Sequence, residues 1–312
     1  MHKKEKYVEY KLSDGNSIVL PYILIKGEED GPTVSVTAGV HGCEYPAIAS
    51  AIALSKNLNP KKLKGTVKII PIVDMKAFKK KSPFVCPEDR KNVNRCFPGD
   101  KDGTYSEILV YHLFNEFIKG SDYYIDLHSA DLTEEMIPFC EIHESGDADI
   151  NAISFDMAKY SGINKIVFKS SEGEINDKNQ SYSTAAEAGI PGLVINAGKI
   201  DGDIKEYINI HLHGLMNILT YAKCLDGSLI EYNNYNCYKA PIHIRSKKVG
   251  LFYNNCKIGD EVKKGDVLGR IEDVFGRELD VLKAPATGEI LLVNTSLPVK
   301  EDALLLEIIA RK

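Results

Sequence analysis

A histidine and a glutamate stand three residues apart in a short segment, residues 37–44, that reads TAGVHGCE. They are His41 and Glu44, and they follow a β-rich segment and precede a helix-like one. Ligands of open α/β sheets bind beyond the carboxyl ends of strands, and side chains at i and i+3 of a helix start lie on one side. An imidazole nitrogen and a carboxylate oxygen are two of the three protein ligands that a catalytic zinc needs. The pair alone fits a solvated loop equally well.

A second histidine, His128, follows a strand-like segment at residues 123–127 (YYIDL). It lies far from Glu44 in the chain, so only a shared sheet edge could bring the two together. Asp126 could orient this imidazole, as carboxylates commonly do behind metal-binding histidines. His128 is therefore a candidate third ligand, and the alternative is an ordinary buried histidine.

A polar loop segment, residues 92–99, reads NVNRCFPG and contains Asn94 and Arg95. A guanidinium recognises a carboxylate through two parallel hydrogen bonds. These residues are candidates for binding a carboxylate of a substrate. The alternative for Arg95 is a surface side chain on an ordinary turn.

Strand-like and helix-like segments alternate around these residues. The predicted strands are residues 33–38, 66–73, 123–127, 165–169 and 192–196, and the predicted helices are 46–58, 105–119, 150–160, 182–188 and 206–224. Residues 76–104 are rich in proline and glycine and are predicted to form a loop. Alternation of this kind indicates an α/β fold in which helices flank a mostly parallel or mixed sheet.

The pattern changes near residue 226, after which short β-rich segments are bounded by Gly, Asn or Asp. We predict an α/β domain at residues 1–228 and an all-β domain, similar to a barrel-sandwich, at 229–312. Residues 262–271 and 283–290 look like halves of a biotinyl or lipoyl fold. The expected hairpin tip, residues 273–277, holds no lysine for a prosthetic group. A structural or assembly role is therefore expected, and a homo-oligomer stays open.

The composition narrows the classes of partner. The formal net charge is -5, so the chain offers no basic surface for nucleic acid or an anionic membrane. No apolar run approaches the ~20 residues that span a bilayer, and the first ten residues lack a signal-peptide core. The seven cysteines form no C-x-x-C pair, which indicates a cytoplasmic protein with reduced thiols.

Four segments together resemble the succinylglutamate desuccinylase/aspartoacylase family, which is related to zinc carboxypeptidases. They are AGVHGCE, NVNRCFPG, IDLHS and GIPGLVINAG, in the order and approximate spacing of that family, across roughly residues 30–225. The resemblance implies a carboxypeptidase-like domain that binds one zinc ion per chain through His41, Glu44 and His128. It also implies that Asn94 and Arg95 bind a substrate carboxylate, and that zinc activates water for attack on an acyl carbonyl.

The sequence departs from the family pattern at two positions. Asn196 stands where family members generally have a glutamate that serves as general base, and Pro83 stands where an arginine often polarises the scissile carbonyl. Arg90, on the same loop as Pro83, could substitute for that arginine. An active enzyme would need another base, for which Glu187 and Glu174 are candidates. Otherwise the protein binds zinc and a carboxylate ligand with little or no turnover, or the alignment is locally shifted.

The expected function is zinc-dependent deacylation of a small N-acyl amino acid or acylated amine that carries a carboxylate. One alternative is a catalytically weak or inactive relative that binds zinc and a carboxylate. The other is an amidase of the carboxypeptidase type that acts on peptide-like substrates, whose activity would persist as the substrate lengthens.

Overall fold

A computed structural model of the protein describes residues 1–13, 15–170, 179–199 and 203–310. Within these residues, the first ten strands are β1 (His2–Lys11), β2 (Ser17–Lys26), β3 (Glu29–Ala38), β4 (Lys64–Ile70), β5 (Tyr123–His128), β6 (Glu134–Met136), β7 (Phe139–Glu144), β8 (Lys165–Ser170), β9 (Gly192–Asn196) and β10 (Asn236–Lys239). All except β6 form one sheet, in the order β1-β2-β4-β3-β5-β9-β7-β8-β10.

The centre of this sheet is parallel. Strands β4, β3, β5 and β9 run in one direction, whereas β7 is antiparallel to β9. The carboxyl ends of β3, β5 and β9 therefore meet at one edge. In the register of β5 and β9, His128 lies opposite Asn196.

Helices cover both faces of the sheet. The α-helices of the described residues are α1 (Tyr45–Asn57), α2 (Met75–Lys80), α3 (Tyr105–His112), α4 (Ala148–Tyr160), α5 (Ser181–Glu187) and α6 (Ile204–Tyr221). One apolar cluster joins α1, α4 and α6 to the sheet through side chains such as Leu54, Met157 and Leu215. A second cluster on the other face includes Leu109 of α3 and Tyr182 of α5. The predicted α/β class, with helices flanking a large mixed sheet, is confirmed.

Two local predictions were wrong or incomplete. The expected loop at 76–104 contains most of α2, which begins because the Asp74 side chain accepts hydrogen bonds from the backbone N–H groups of Lys76 and Ala77, at 3.0 and 2.9 Å. The hairpin of β1 and β2 was not predicted. Strand β1 is an edge strand with mostly exposed, charged side chains, so its sequence lacks the apolar alternation that identifies a strand.

The C-terminal part is all β, as expected. Its strands are β11 (Ile242–Arg245), β12 (Gly250–Asn254), β13 (Glu261–Val262), β14 (Val267–Glu272), β15 (Glu278–Lys283), β16 (Gly288–Asn294), β17 (Pro298–Val299) and β18 (Leu304–Ala310). Two sheets, ordered β11-β18-β16-β13 and β15-β14-β12-β17, enclose an apolar core that includes Leu268, Ile290 and Leu306. Residues 273–277 form the exposed turn between β14 and β15.

The two parts of the chain share strands. β10, which lies beyond residue 228, adds to the large sheet beside β8. β6, from the first part, pairs with β16 of the C-terminal part, so that Glu134 lies opposite Asn294. A buried apolar cluster that includes Met136, Phe139 and Leu292 fills the junction. The division at residue 228 stays a prediction. Among the described helices, none combines the length and apolar character needed to cross a membrane.

Candidate active site

The turn between β3 and α1 carries His41 and Glu44. The backbone N–H of Glu44 donates to the carbonyl of His41 at 3.2 Å, which closes the turn. Gly42 is required here because a Cβ would lie 2.2 Å from the backbone nitrogen of Phe78. Glu44 precedes α1 without capping it through its side chain, so its carboxylate is free to face the sheet edge.

The carboxylate of Glu44 lies between two imidazole rings. Its Oε1 is 2.7 Å from Nδ1 of His41 and its Oε2 is 2.9 Å from Nδ1 of His128. One candidate ligand atom from each of the three residues lies within 4.8 Å of the other two. The structure therefore brings together the three residues that the sequence predicted as metal ligands.

The remaining ring nitrogens are held by oxygen atoms behind the cluster. Nε2 of His41 is 3.0 Å from Oδ1 of Asn92, and Nε2 of His128 is 3.1 Å from Oδ2 of Asp126. If each Nε2 donates its proton, each Nδ1 presents a lone pair to the carboxylate. A nitrogen lone pair and a carboxylate oxygen at 2.7 or 2.9 Å repel each other unless a proton or a metal cation lies between them. Two neutral imidazoles and one carboxylate fit a divalent metal ion such as zinc.

Charge interactions within the cluster shift the pKa values of its members. Burial would raise the pKa of Glu44, but His128 and His41 lower it to about 2. Burial would lower the pKa of His128, but the charges of Glu44 and Asp126 raise it well above its usual value. The pKa of His41 is also raised, because Glu44 outweighs the effect of burial. A proton on either Nδ1 would have to be displaced for a metal to bind there.

Asp126 connects the cluster to the interior of the sheet. It is fully buried, and its Oδ1 accepts a hydrogen bond from the Thr37 hydroxyl at 2.7 Å. Its Oδ2 accepts one from the Ser181 hydroxyl as well as facing His128. Because three side chains fix the carboxylate, it holds the His128 ring in one orientation. The sequence-based expectation that Asp126 orients His128 agrees with this geometry.

We expect Asp126→Asn to weaken zinc binding by about 10- to 100-fold, because the amide is a poorer hydrogen-bond acceptor for Nε2–H of the ligand histidine. Competition with a chelator of known affinity measures the change. Asp122→Asn is the matched control, since Asp122 precedes the same strand at its other end and accepts from the backbone of Thr33 at 2.7 Å. Equal zinc affinity in the two variants would contradict the assigned role.

A cavity of about 540 Å³ opens over the cluster. Side chains of the large sheet, of the 92–95 loop and of the C-terminal part all line it. Those that the sequence analysis did not anticipate include Glu134, Glu141, Lys169 and Glu307. They come from β6, β7, β8 and β18, which carry no local motif, and only the folded topology brings them to the site.

The catalytic-domain model of the succinylglutamate desuccinylase/aspartoacylase family matches residues 30–222, more than half of the chain. The chain belongs to this family. It is 29% identical, over 265 residues, to N-alpha-acetyl-L-2,4-diaminobutyric acid deacetylase of Halomonas elongata, an alignment that covers 83% of this chain and 75% of that relative.

Solved structures share the whole fold. The ectoine utilization protein EutE (DoeB) of Ruegeria pomeroyi, in its product-bound form, is similar with a TM-score of 0.85 and 24% identity. The succinylglutamate desuccinylase/aspartoacylase of Rhodobacter sphaeroides is similar with a TM-score of 0.84 and 23% identity. Each similarity covers 99% of this chain and 95% of the other. The C-terminal β part is therefore included in the shared architecture.

The loop that resembles the family's carboxylate-binding segment lies at the cavity wall. Asn94 is buried, and its Oδ1 accepts a hydrogen bond from the backbone N–H of Ser181 at 2.9 Å. Arg95 is exposed and donates from Nη1 to the carbonyl of Asn94 at 2.8 Å. Both line the cavity. Asn92 has a role that the sequence analysis missed, since it contacts His41 and also accepts from the backbone N–H of Asn94.

The segment that precedes this loop contains Pro83 and Arg90, and it supplies no cationic side chain to the cavity wall. Arg90 is exposed and is absent from the cavity lining. Pro83 does not line the cavity either, whereas its neighbour Phe84 does. The structure therefore does not place Arg90 in the wall of the cavity.

Asn196 ends β9 beside His128 and lines the cavity. Its side chain is 7% exposed, and its Nδ2 has no hydrogen-bond partner among the described residues. A buried amide without a partner is costly, so a ligand in the cavity is the natural acceptor. An amide cannot take up a proton as the glutamate expected at this position would.

The alternative base that lies among the described residues is not found in the cavity wall. Glu187 ends α5 with half of its side chain exposed, and its Oε1 is 2.9 Å from Nε2 of His143. It is not among the residues that line the cavity. Glu174 lies outside the described residues.

Proposed function

We propose that this protein is a zinc-dependent deacylase that hydrolyses the amide bond of a small N-acyl amino acid or acylated amine carrying a carboxylate. The observation that carries the proposal is the cluster of His41, Glu44 and His128 at the base of an open cavity. The deacetylase of Halomonas elongata, which is similar over most of this chain, supports hydrolysis of an amide.

Each group in the cavity has a separate task in this proposal. His41, Glu44 and His128 would hold zinc, which when bound supplies Lewis-acid activation of water and of the acyl carbonyl. Arg95 would pair with the substrate carboxylate, because its guanidinium faces an open cavity. Asn196 would donate from Nδ2 to an oxygen of the substrate, which satisfies its buried amide.

Asn196 also limits the expected rate. A positioned general base typically contributes about 10² to 10⁴ in rate, and the amide at this position cannot provide it. The second candidate function is therefore a weakly active or inactive relative that binds zinc and a carboxylate ligand. The proposed deacylase differs from this relative in showing measurable turnover that depends on the metal.

The amidase of the carboxypeptidase type differs from the proposed deacylase in the length of its substrate. The C-terminal part contributes Arg245, Lys300 and Glu307 to the cavity wall, so the space beyond the zinc cluster is bounded. We expect acylated single amino acids to be preferred over acylated peptides, in keeping with a deacylase.

A steady-state screen of N-acyl amino acids tests the proposal. The full chain, loaded with zinc, is assayed with acetyl, succinyl and peptide-length acyl donors, and the released amine is measured. Turnover that falls as the donor lengthens, stops after treatment with a chelator and returns with zinc is expected. Binding of the same compounds without turnover would favour the inactive relative, and sustained turnover of long peptides would favour the amidase.

A further inference from the structure

The cavity needs a group that transfers protons, because Asn196 supplies it with an amide, which cannot take one up. In the part of the chain that the structure describes, most ionisable side chains of the wall have another task. His41, Glu44 and His128 form the metal cluster. Buried pairs and exposed side chains account for the others, and Glu134 remains outside these sets.

The other ionisable groups of the wall are engaged or hydrated. Oε1 of Glu141 is 2.9 Å from Nζ of Lys169, and Oε1 of Glu307 is 3.1 Å from Nε2 of His243. Breaking a buried pair of this kind leaves an uncompensated charge, so these groups are used within the fold. The exposed members of the lining are hydrated whether or not a ligand is bound, and they are Arg95, Arg245, Lys300, Glu301 and Asp302.

Glu134 begins β6, and its partly buried side chain reaches back to the segment that follows β5. Its backbone N–H donates to the carbonyl of Asp131 at 3.1 Å, and its Oε2 accepts from the backbone N–H of Asp131 at 3.3 Å. In the pairing of β6 with β16 it lies opposite Asn294. The carboxyl group is therefore tied to both parts of the chain and faces the same cavity as the metal cluster.

The hydrogen bond to Asp131 also indicates which oxygen of Glu134 carries a proton. A protonated carboxyl group has one O–H donor and one carbonyl oxygen, which is the better acceptor. Since Oε2 accepts from the backbone, the proton belongs on Oε1. That oxygen has no hydrogen-bond partner among the described residues, so its proton is available to a ligand in the cavity.

The surroundings of Glu134 keep this proton in place near neutral pH. Burial raises the pKa of the carboxyl group to about 8, although the Asp131 N–H lowers it, and the charges of Asp131, Glu307 and Glu44 add to the rise. These three acids face it from the loop after β5, from β18 and from the turn before α1, while β16 presents the uncharged Asn294. A metal ion at the cluster would offset the charge of Glu44, which is the smallest of the three contributions, and would leave the burial unchanged.

We propose that Glu134 is the general acid of the site and gives its proton to the nitrogen that leaves when the amide bond breaks. This inference rests on the proposed deacylase function and assigns a step that Asn196 cannot perform. The oxygen of water adds to the acyl carbon, the carbon–nitrogen bond breaks with its electron pair on nitrogen, and that nitrogen takes the proton from Oε1. One proton of the water restores the acid, and the other stays on the product carboxyl group until that group ionises.

A matched amide and ester test this role. N-acetyl-L-alanine and O-acetyl-L-lactate have nearly the same shape, but the first releases an amine and the second an alcohol, which depends far less on a proton donor to leave. In the zinc-loaded full chain, we expect Glu134→Gln to lower kcat for the amide by about 10² to 10⁴, and kcat for the ester by less than about 10-fold. Glutamine keeps a carbonyl oxygen for the Asp131 N–H, so the local fold is retained.

The pH dependence of amide hydrolysis gives a readout that a structural role would not change. The acid form of Glu134 is the active one, so kcat should fall as the pH rises through about 8. This fall should be absent from the residual activity of Glu134→Gln. Glu301→Gln is the matched control, since it removes an exposed carboxylate from the same cavity and should keep both the rate and the fall.

NMR titration of isotope-labelled glutamate carboxyl carbons needs no turnover. The resonance that disappears in Glu134→Gln should titrate near pH 8, and a midpoint in the usual range of a glutamate overturns the inference. An equal fall of kcat for amide and ester, or an unchanged kcat for the amide, also overturns it. If the unaltered protein hydrolyses neither compound, the result counts against the deacylase, whereas a titration near pH 8 still supports an acid held ready in the cavity.

Discussion

Replacing His128 with alanine is expected to abolish stoichiometric zinc binding, from about one zinc per chain to a trace, and with it any deacylase activity. His128 supplies one of three candidate ligand atoms that lie within 4.8 Å of one another. A catalytic zinc is commonly held by three protein ligands, so two remaining ligands leave a weak site. Elemental analysis of the purified protein, before and after dialysis, measures the loss.

His143→Ala provides the control for the removal of a buried imidazole. His143 and His128 are 1% and 6% exposed, and His143 lies beside Glu187 rather than Glu44. The control should keep its zinc. Zinc retained at full stoichiometry in His128→Ala, or an absence of metal from the unaltered protein purified without chelator, would contradict the proposed metal centre.

Replacing Asn196 with glutamate is expected to raise kcat for an N-acyl substrate by an order of magnitude or more. The substitution places a proton acceptor at the end of β9, opposite His128 in the sheet register. A positioned general base contributes about 10² to 10⁴ in rate, and the added methylene enters the cavity rather than the core, since Asn196 lines the cavity. Initial rates at saturating substrate, normalised to bound zinc, measure the gain.

Asn196→Gln separates the effect of the proton acceptor from that of side-chain length. It extends the amide by the same methylene but cannot accept a proton, so kcat should stay at or below that of the unaltered protein. Equal rates in the glutamate and glutamine variants, with zinc still bound, would mean that Asn196 does not occupy the position of the base.

The sequence was sufficient for the parts of the fold that have an unambiguous hydrophobic period. Strands β5 and β9 were predicted within one residue of their observed bounds, and the end of β3 was predicted at Ala38, because their β-branched and aromatic residues are typical of strands. The edge strand β1 was not predicted, because its charged side chains follow no such pattern. The short strand β6 depends on pairing with β16, far away in the chain, and nothing local specifies it.

The same distinction applies to the site. His41 and Glu44 could be found because they stand three residues apart, and His128 because it ends a recognisable strand, whereas Asn196 was found only through the resemblance to the family. Glu134 could not be found in this way. Its position in the cavity wall depends on which strands the folded chain brings together, and a sequence does not display such an arrangement.

The reciprocal pairing of β6 with β16 and of β10 with β8 has a consequence for folding. Each part of the chain supplies an edge strand to the sheet of the other, so neither can complete its hydrogen-bonded ladder alone. Exposed edges left by separation would be sites for aggregation. Because Glu134 belongs to β6, its position in the cavity wall depends on the pairing between the two parts of the chain.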